Sequence, residues 1–238
     1  MKFVSFGKTD IGMKRSHNED AFYRNDNIGL YIVADGMGGH KAGEIASNMA
    51  VDSIKNYIMN QKNLVEQSLI DAIHVANNLI FKSALSNPKY SGMGTTIVSM
   101  WFSNKNTAIL CHVGDSRAYL LTGGKIIRLT EDHTYVNEQF KTGLITEKQM
   151  EKHLMRNVLT RSLGFSEHIN VESNKLSIHI GERYLLCSDG LSHMVSDDVI
   201  AELGSIPDAV HAVSTLIDVA NANGGDDNIT VLIIDVKE

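Results

Sequence analysis

Short acidic motifs stand where apolar runs end: Val33-Ala34-Asp35-Gly36, Val113-Gly114-Asp115-Ser116, Cys187-Ser188-Asp189-Gly190 and Gly225-Asp226-Asp227-Asn228. Asn18-Glu19-Asp20 adds a fifth, just before a run. One acid at a strand end is ordinarily solvated. Five of them, each beside glycine or a short polar residue, point to a common destination. Carboxylates crowded together repel and raise one another's pKa unless cations intervene. Hard divalent cations take oxygen ligands, and Mg2+ or Mn2+ suits carboxylate, carbonyl and water. A shared pair of such ions can activate a water and stabilise an in-line displacement at phosphorus.

The elements that must carry these acids follow from the apolar pattern. Leu30-Tyr31-Ile32-Val33-Ala34 reads as a buried strand, and Asp35 sits at its mouth. Gly36, Gly38 and Gly39 follow, where no Cβ keeps the backbone from close approach. Ala42 to Met59 repeats small and apolar residues every fourth position through Ala46, Ala50, Ile54 and Ile58, one helix face. A second helix runs from about Leu64 to Leu85, and Pro88 and Gly92 end it. From Gly94 the texture becomes strands: Thr95 to Phe102, Thr107 to Val113, Ala118 to Leu121 and Lys125 to Leu129. Their connections are too short for parallel crossovers, so they pair antiparallel. Glu131 to Leu159 is polar and mixed, with two short helices, and forms a candidate flap. Leu176 to Ile180 and Arg183 to Cys187 read as a strand pair around Gly181-Glu182. Helices over Asp197 to Leu203 and Asp208 to Asn221 precede a closing strand, Asn228 to Val236. Phe3 to Phe6 and Ala21 to Tyr23 supply the first two strands. The expected class is α+β: an antiparallel β-sandwich with a helix pair on each face, four layers αββα. One catalytic domain spans residues 1–238, with the flap at about 131–160.

Arg15 with Asn18-Glu19-Asp20, Asp35-Gly36-Met37-Gly38-Gly39, Gly94-Thr95-Thr96, Val113-Gly114-Asp115-Ser116-Arg117, Leu159-Thr160-Arg161-Ser162-Leu163-Gly164, Ser188-Asp189-Gly190 and Gly225-x-Asp227-Asn228-Ile229-Thr230 resemble, in order and together, the metal-dependent protein phosphatase family of type 2C. The short length and the Asp-Gly-Met-Gly-Gly form resemble its compact bacterial serine/threonine phosphatases. The resemblance implies the same sandwich, and it implies hydrolysis of phosphoserine and phosphothreonine in proteins. It implies two Mg2+ or Mn2+ ions, and a third as in bacterial members. Asp35 would bridge the pair and the Gly36 carbonyl would bind one ion. Asp189 and Asp227 would complete the coordination of the first metal, while Asp20 and Glu19 would act mostly through metal-bound waters. Asp115, with Asp189, would hold the third ion. Arg15 would clamp the substrate phosphate with its fork. Asn228 and Ser116 would support these groups, and Asp226 would be solvated. Some members carry histidine where Met37 stands, as a proposed general acid. Methionine holds no transferable proton, so His40 is the candidate substitute, and His133 a weaker one.

Composition narrows the alternatives. A formal charge of -6 over 238 residues argues against nucleic acid as partner. Cys111 and Cys187 lie inside apolar runs, which gives two buried thiols and neither disulfide nor zinc spacing. No stretch approaches the ~18 apolar residues of a membrane span, and Lys8 and Asp10 come too early for a signal peptide. A cytoplasmic monomer acting on phosphoproteins, with a serine/threonine kinase as its counterpart, is the expectation. A dinucleotide fingerprint fails because Lys41 stands where its third glycine belongs. A metal-dependent phosphodiesterase would share the metals and the water. A catalytically weak sensor or scaffold that binds phosphoproteins or a kinase would be expected to lose the acids that here remain.

Overall fold

The computed structural model describes residues 1–38, 41–103 and 106–238. The first strands are β1 (Lys2–Asp10), β2 (Asp20–Asn25) and β3 (Leu30–Met37). Helices α1 (Lys41–Met59) and α2 (Glu66–Ser86) follow, then a 3-10 turn at Pro88–Tyr90. Next come β4 (Gly94–Thr95), β5 (Ile97–Ser103), β6 (Thr107–Val113), β7 (Arg117–Thr122) and β8 (Lys125–Arg128). The short helices α3 (Tyr135–Lys141) and α4 (Glu147–Glu151) lead to β9 (Glu172–Ser177) and β10 (Arg183–Cys187). The chain closes with α5 (Asp189–Ser192), α6 (Asp197–Gly204), α7 (Ala209–Ala222) and β11 (Ile229–Lys237).

The strands form two sheets, β1-β11-β10-β7-β8 and β2-β3-β5-β6-β9, with β4 added beside β3. Every described pairing is antiparallel. The α+β sandwich expected from the sequence is the fold found. Helices α1 and α2 cover one sheet through Ala46, Ile54, Leu69 and Ile73. Helices α6 and α7 cover the other through Ile200, Val213, Leu216 and Ile217. Between the sheets lie Phe3, Tyr31, Val33, Phe102, Tyr184, Leu186, Leu232 and Ile234.

Strand β3 reads as an unbroken apolar run because both its faces are buried. Leu30, Ile32 and Ala34 meet the helices, while Tyr31 and Val33 meet the other sheet. Asp35 is in phase with Tyr31 and Val33, since side chains alternate with period two. Thr230 on β11 is likewise in phase with Leu232 and Ile234 of the inner layer. Asp20 on β2 is in phase with Phe22, which packs on that layer. The space between the sheets therefore turns from apolar to polar and acidic at one end. The register pairs Asp20 with Asp35 directly across β2 and β3.

One sequence expectation is corrected. Leu176 to Ile180 and Arg183 to Cys187 are not a hairpin. Strand β9 begins earlier, at Glu172, and pairs with β6 in one sheet. Strand β10 pairs with β7 and β11 in the other. Glu172 to Lys175 forms a largely exposed edge, so its polar residues gave no apolar signal. Among the described residues no helix is long and apolar enough to cross a membrane.

Candidate active site

The acidic end opens as a cleft of about 370 Å³ lined by Arg15, Glu19, Asp35, Gly36, Asp115, Asp189 and Asp227, among others. Each acid arrives on a different segment, and hydrogen bonds fix each segment. Asp35 is clamped by Gly94-Thr95-Thr96: its N–H donates to Thr96 Oγ1 at 3.0 Å. Its carbonyl accepts from the Thr96 N–H and the Thr95 hydroxyl, both at 2.9 Å. The Thr96 and Ser116 hydroxyls lie 2.8 Å apart, tying the Asp35 strand end to the Asp115 loop. Gly36 is buried where a Cβ would stand 2.2 Å from the Gly43 carbonyl oxygen and 2.5 Å from that of Glu19. Only glycine lets β3, α1 and the Glu19 segment meet there.

Asn228 organises the loop that carries Arg15. Its Oδ1 accepts from the Glu19 N–H at 2.7 Å. Its Nδ2 donates to the carbonyls of Ile11 and His17 at 2.9 and 3.0 Å. Asp20 lies behind the cleft, where the hydroxyls of Ser188 and Thr230 donate to its Oδ2 at 2.8 and 2.6 Å. Arg15 Nη2 sits 2.6 Å from Asp227 Oδ2, with half of the Arg15 side chain exposed. Asp226 is exposed and paired with Lys14 at 2.5 Å.

Burial and mutual repulsion dominate the electrostatics of these acids. Burial raises Asp35 well above the usual carboxylate range, and the charges of Asp20, Asp189, Asp115 and Asp227 raise it further. Burial pushes Asp20 up to about 7, against the hydrogen bonds from Thr230 and Ser188. Asp115 rises to about 8, through burial and then the charge of Asp189. Asp227 is also raised, by burial and by Asp189, and Arg15 offsets this only in part. Asp189 alone among them is lowered, because His193 and a hydrogen bond shared with Asp35 outweigh its burial. Asp20 Oδ1 and Asp189 Oδ1 are buried with no hydrogen-bond partner. Orphaned carboxylate oxygens in a cluster of acids fit hard divalent cations.

The structure thus brings Arg15, Glu19, Asp35, Gly36, Asp115, Asp189 and Asp227 to one cleft, with Asp20 beneath it. Met37 lines the cleft, while His40 lies outside the described residues. His133 is buried away from it. The Gly114 N–H donates to His133 Nδ1 at 3.1 Å. The neutral ring therefore carries its proton on Nε2, which donates to Glu172 Oε2 at 3.1 Å. His112 stacks on His133 with ring centroids 4.8 Å apart. His112, His133 and Glu172 group their ligating atoms closely. Both His133 nitrogens are already engaged, so the group braces the Gly114–Asp115 turn. Sequence reasoning missed this triad, because only the β6–β9 pairing of His112 with Glu172 brings it together. The one signal was a histidine inside the apolar run Thr107 to Val113.

A four-layer αββα sandwich with an acidic cleft between its sheets is the build of the metal-dependent protein phosphatases. The chain belongs to the protein phosphatase 2C family, whose model matches residues 12–228. The serine/threonine phosphatase stp of Listeria monocytogenes is 38% identical over 237 residues, 96% of this chain and 94% of that protein. The serine/threonine protein phosphatase PstP of Mycobacterium tuberculosis is 36% identical over 232 residues, 97% of this chain. This chain spans only 44% of the length of PstP. The crystal structure of PstP superposes with a TM-score of 0.94 at 34% identity, covering 100% of both chains. The PstP catalytic domain in complex with two manganese ions superposes with a TM-score of 0.91 at 34% identity, covering 100% of this chain and 99% of that one.

Proposed function

We propose that this chain is a metal-dependent serine/threonine protein phosphatase that hydrolyses phosphoserine and phosphothreonine esters in proteins. The observation that carries the reading is the cleft of crowded carboxylates with Arg15 at its side. Asp35, Asp189, Asp227 and the Gly36 carbonyl would hold two Mg2+ or Mn2+ ions, as two manganese ions are held in the PstP structure. Asp115 with Asp189 would hold a third, and Glu19 and Asp20 would act through bound water. Ions bound there would lower the pKa of a water and polarise the phosphoryl oxygens for in-line displacement.

The chain's own residues do the rest. Arg15 offers a planar fork that matches a phosphate. It is half exposed, with one nitrogen engaged by Asp227, and so is able to change partner. The Thr95–Thr96 clamp keeps Asp35 aimed between the sheets. Ser116 and Asn228 hold the Asp115 and Glu19 segments in place. His40, three residues beyond the cleft-lining Met37, is the candidate donor to the leaving oxygen. The reading includes action as a monomer. A phosphatase of this specificity implies a serine/threonine kinase as counterpart, and two buried thiols suit the reducing cytoplasm.

The test is phosphate release from a phosphothreonine peptide. Chelator should abolish it, Mn2+ should restore it, and Asp35→Asn should lower kcat by at least about 10²-fold, the scale of one strong electrostatic stabiliser. Full turnover in chelator would sink the reading.

A further inference from the structure

Phe165 combines two properties. Its side chain is 82% exposed, yet it lines the same cleft as Arg15, Asp35 and Asp189. A single exposed aromatic on a loose loop would mean little. This one stands on a fixed backbone. Leu163 exchanges both backbone hydrogen bonds with Thr95, at 2.9 and 3.1 Å. The Gly164 N–H donates to Asn77 Oδ1 at 2.8 Å. Asn77 Nδ2 donates back to the carbonyls of Ser166 and Glu167, at 3.0 and 3.1 Å. Asn77 is 1% exposed on α2, so one buried amide clamps the chain on both sides of Phe165. Gly164 has φ +87°, and a Cβ there would lie 2.4 Å from Ile80 Cγ2, so the chain is pressed onto the helix. A ring on a fixed backbone has only two side-chain torsions to lose on binding, which is what makes aromatic residues good anchors.

We propose that Phe165 is a specificity-determining contact, taking an apolar side chain that flanks the phosphoresidue of a protein substrate. The proposal rests on the phosphatase reading above. Continuity names the occupant. A phosphate seated against Arg15 and the acids places the adjoining substrate chain along the same cleft. Phe165 and the half-buried Leu159 are apolar surface there. A bare phosphate ester carries no side chain to meet them. Arg161 lines the same cleft, and its Nη1 is turned to within 3.3 Å of His133 Nε2, so the glutamate peptide tests whether that cation, rather than the ring, selects the flanking residue.

The experiment uses three phosphothreonine peptides of one length, with leucine, alanine or glutamate flanking the phosphoresidue. Wild type, Phe165→Ala and Phe165→Leu are assayed in Mn2+. Wild type should favour the leucine peptide over the alanine peptide by about tenfold in kcat/KM, the scale of one anchor contact. In Phe165→Ala that ratio should fall to within about twofold, with the change in KM rather than kcat. Phe165→Leu should keep part of it. Equal ratios in wild type and Phe165→Ala, or a preference for the glutamate peptide, would overturn the proposal. Wild-type turnover of para-nitrophenyl phosphate separates the two readings. If it is present while peptide preferences are flat, the phosphatase reading stands and this one falls. If no substrate is turned over, both fall.

Discussion

Asp132 and Asp35 are both drawn largely out of water, and the chain treats them in opposite ways. Asp132 receives Arg117 Nε and Nη2 at 3.1 and 2.7 Å, and Arg128 as well. Burial would raise its pKa, but the two guanidinium groups win and hold it below the usual range. Asp35 has its clamp on the main chain, where its N–H donates to Thr96 Oγ1 and its carbonyl accepts from the Thr96 N–H and the Thr95 hydroxyl, while burial and four other acids raise its carboxyl. Among the described residues no lysine or arginine pairs with Asp20, Asp35 or Asp115. An acid that braces the fold brings its cation within the chain. The acids at the cleft leave that position to something from outside, and the folded chain alone holds them at a cost.

The sharpest way to break the comparison is to remove the braced acid. Asp132→Ala would leave Arg117, whose side chain is 15% exposed, as an unpaired buried charge. The expected loss is about 3–5 kcal/mol, seen as a fall in Tm of roughly 10 °C or more. Asp35→Asn in chelator should do the reverse and melt at or above wild type, because it removes a repelling charge. Thermal melts of both variants check this. If Asp132→Ala melts like wild type, the contrast between the two acids is not real.

A second test uses pH and metal together. In the folded chain Asp20 titrates near 7 and Asp115 near 8, both above their ordinary 3.8. The native state therefore keeps protons that the unfolded chain has released. Stability is fully present below about pH 4 for these groups and is lost as pH rises through 7 to 8. In chelator, Tm should fall between pH 5 and pH 8. Metal favours the ionised forms, so its stabilisation should grow over the same interval. At a hundredfold excess over Kd the gain is about 2.7 kcal/mol, or roughly 5–10 °C for a domain of this size. Asp35→Asn should blunt it. A chelated Tm that is flat from pH 5 to pH 8 would remove the electrostatic argument for the site.

These differences were unequally legible in the sequence. The central strand was plain, because Leu30 to Ala34 is buried on both faces and so is apolar throughout. The first helix of the early pair showed through its period. The acids were legible as a set, since each stands at the boundary of an apolar run. Their clamps were not derivable from pattern: the bond from Thr95 to Asp35 spans 60 positions. Asp189 reads as a strand end but begins α5, because Cys187 closes the strand one residue before Ser188 turns it. Strand β9 was mispaired for want of apolar residues at a sheet edge. The Asn77 clamp on the Phe165 segment, 87 to 90 positions away, had no local signal at all.

The smallest expected effect separates a surface contact from a functional one. Arg15 and Asp227 form an ion pair at 2.6 Å, with side chains 50% and 32% exposed. Exposed pairs of this kind contribute about 0–1 kcal/mol, so Arg15→Ala should shift Tm by no more than roughly 2–4 °C. Unlike Asp132, Asp227 would keep access to water and to metal when its arginine is gone. Activity should respond more strongly. A charge-assisted hydrogen bond is worth about 1.5–3 kcal/mol, so Arg15→Ala should raise KM for a phosphothreonine peptide by roughly tenfold or more. Arg15→Lys should recover only part of the loss, because an ammonium restores the charge without the fork. Steady-state kinetics beside thermal melts decide the matter. A large fall in Tm with KM unchanged would make Arg15 a brace like Arg117, and would move it out of the phosphate site.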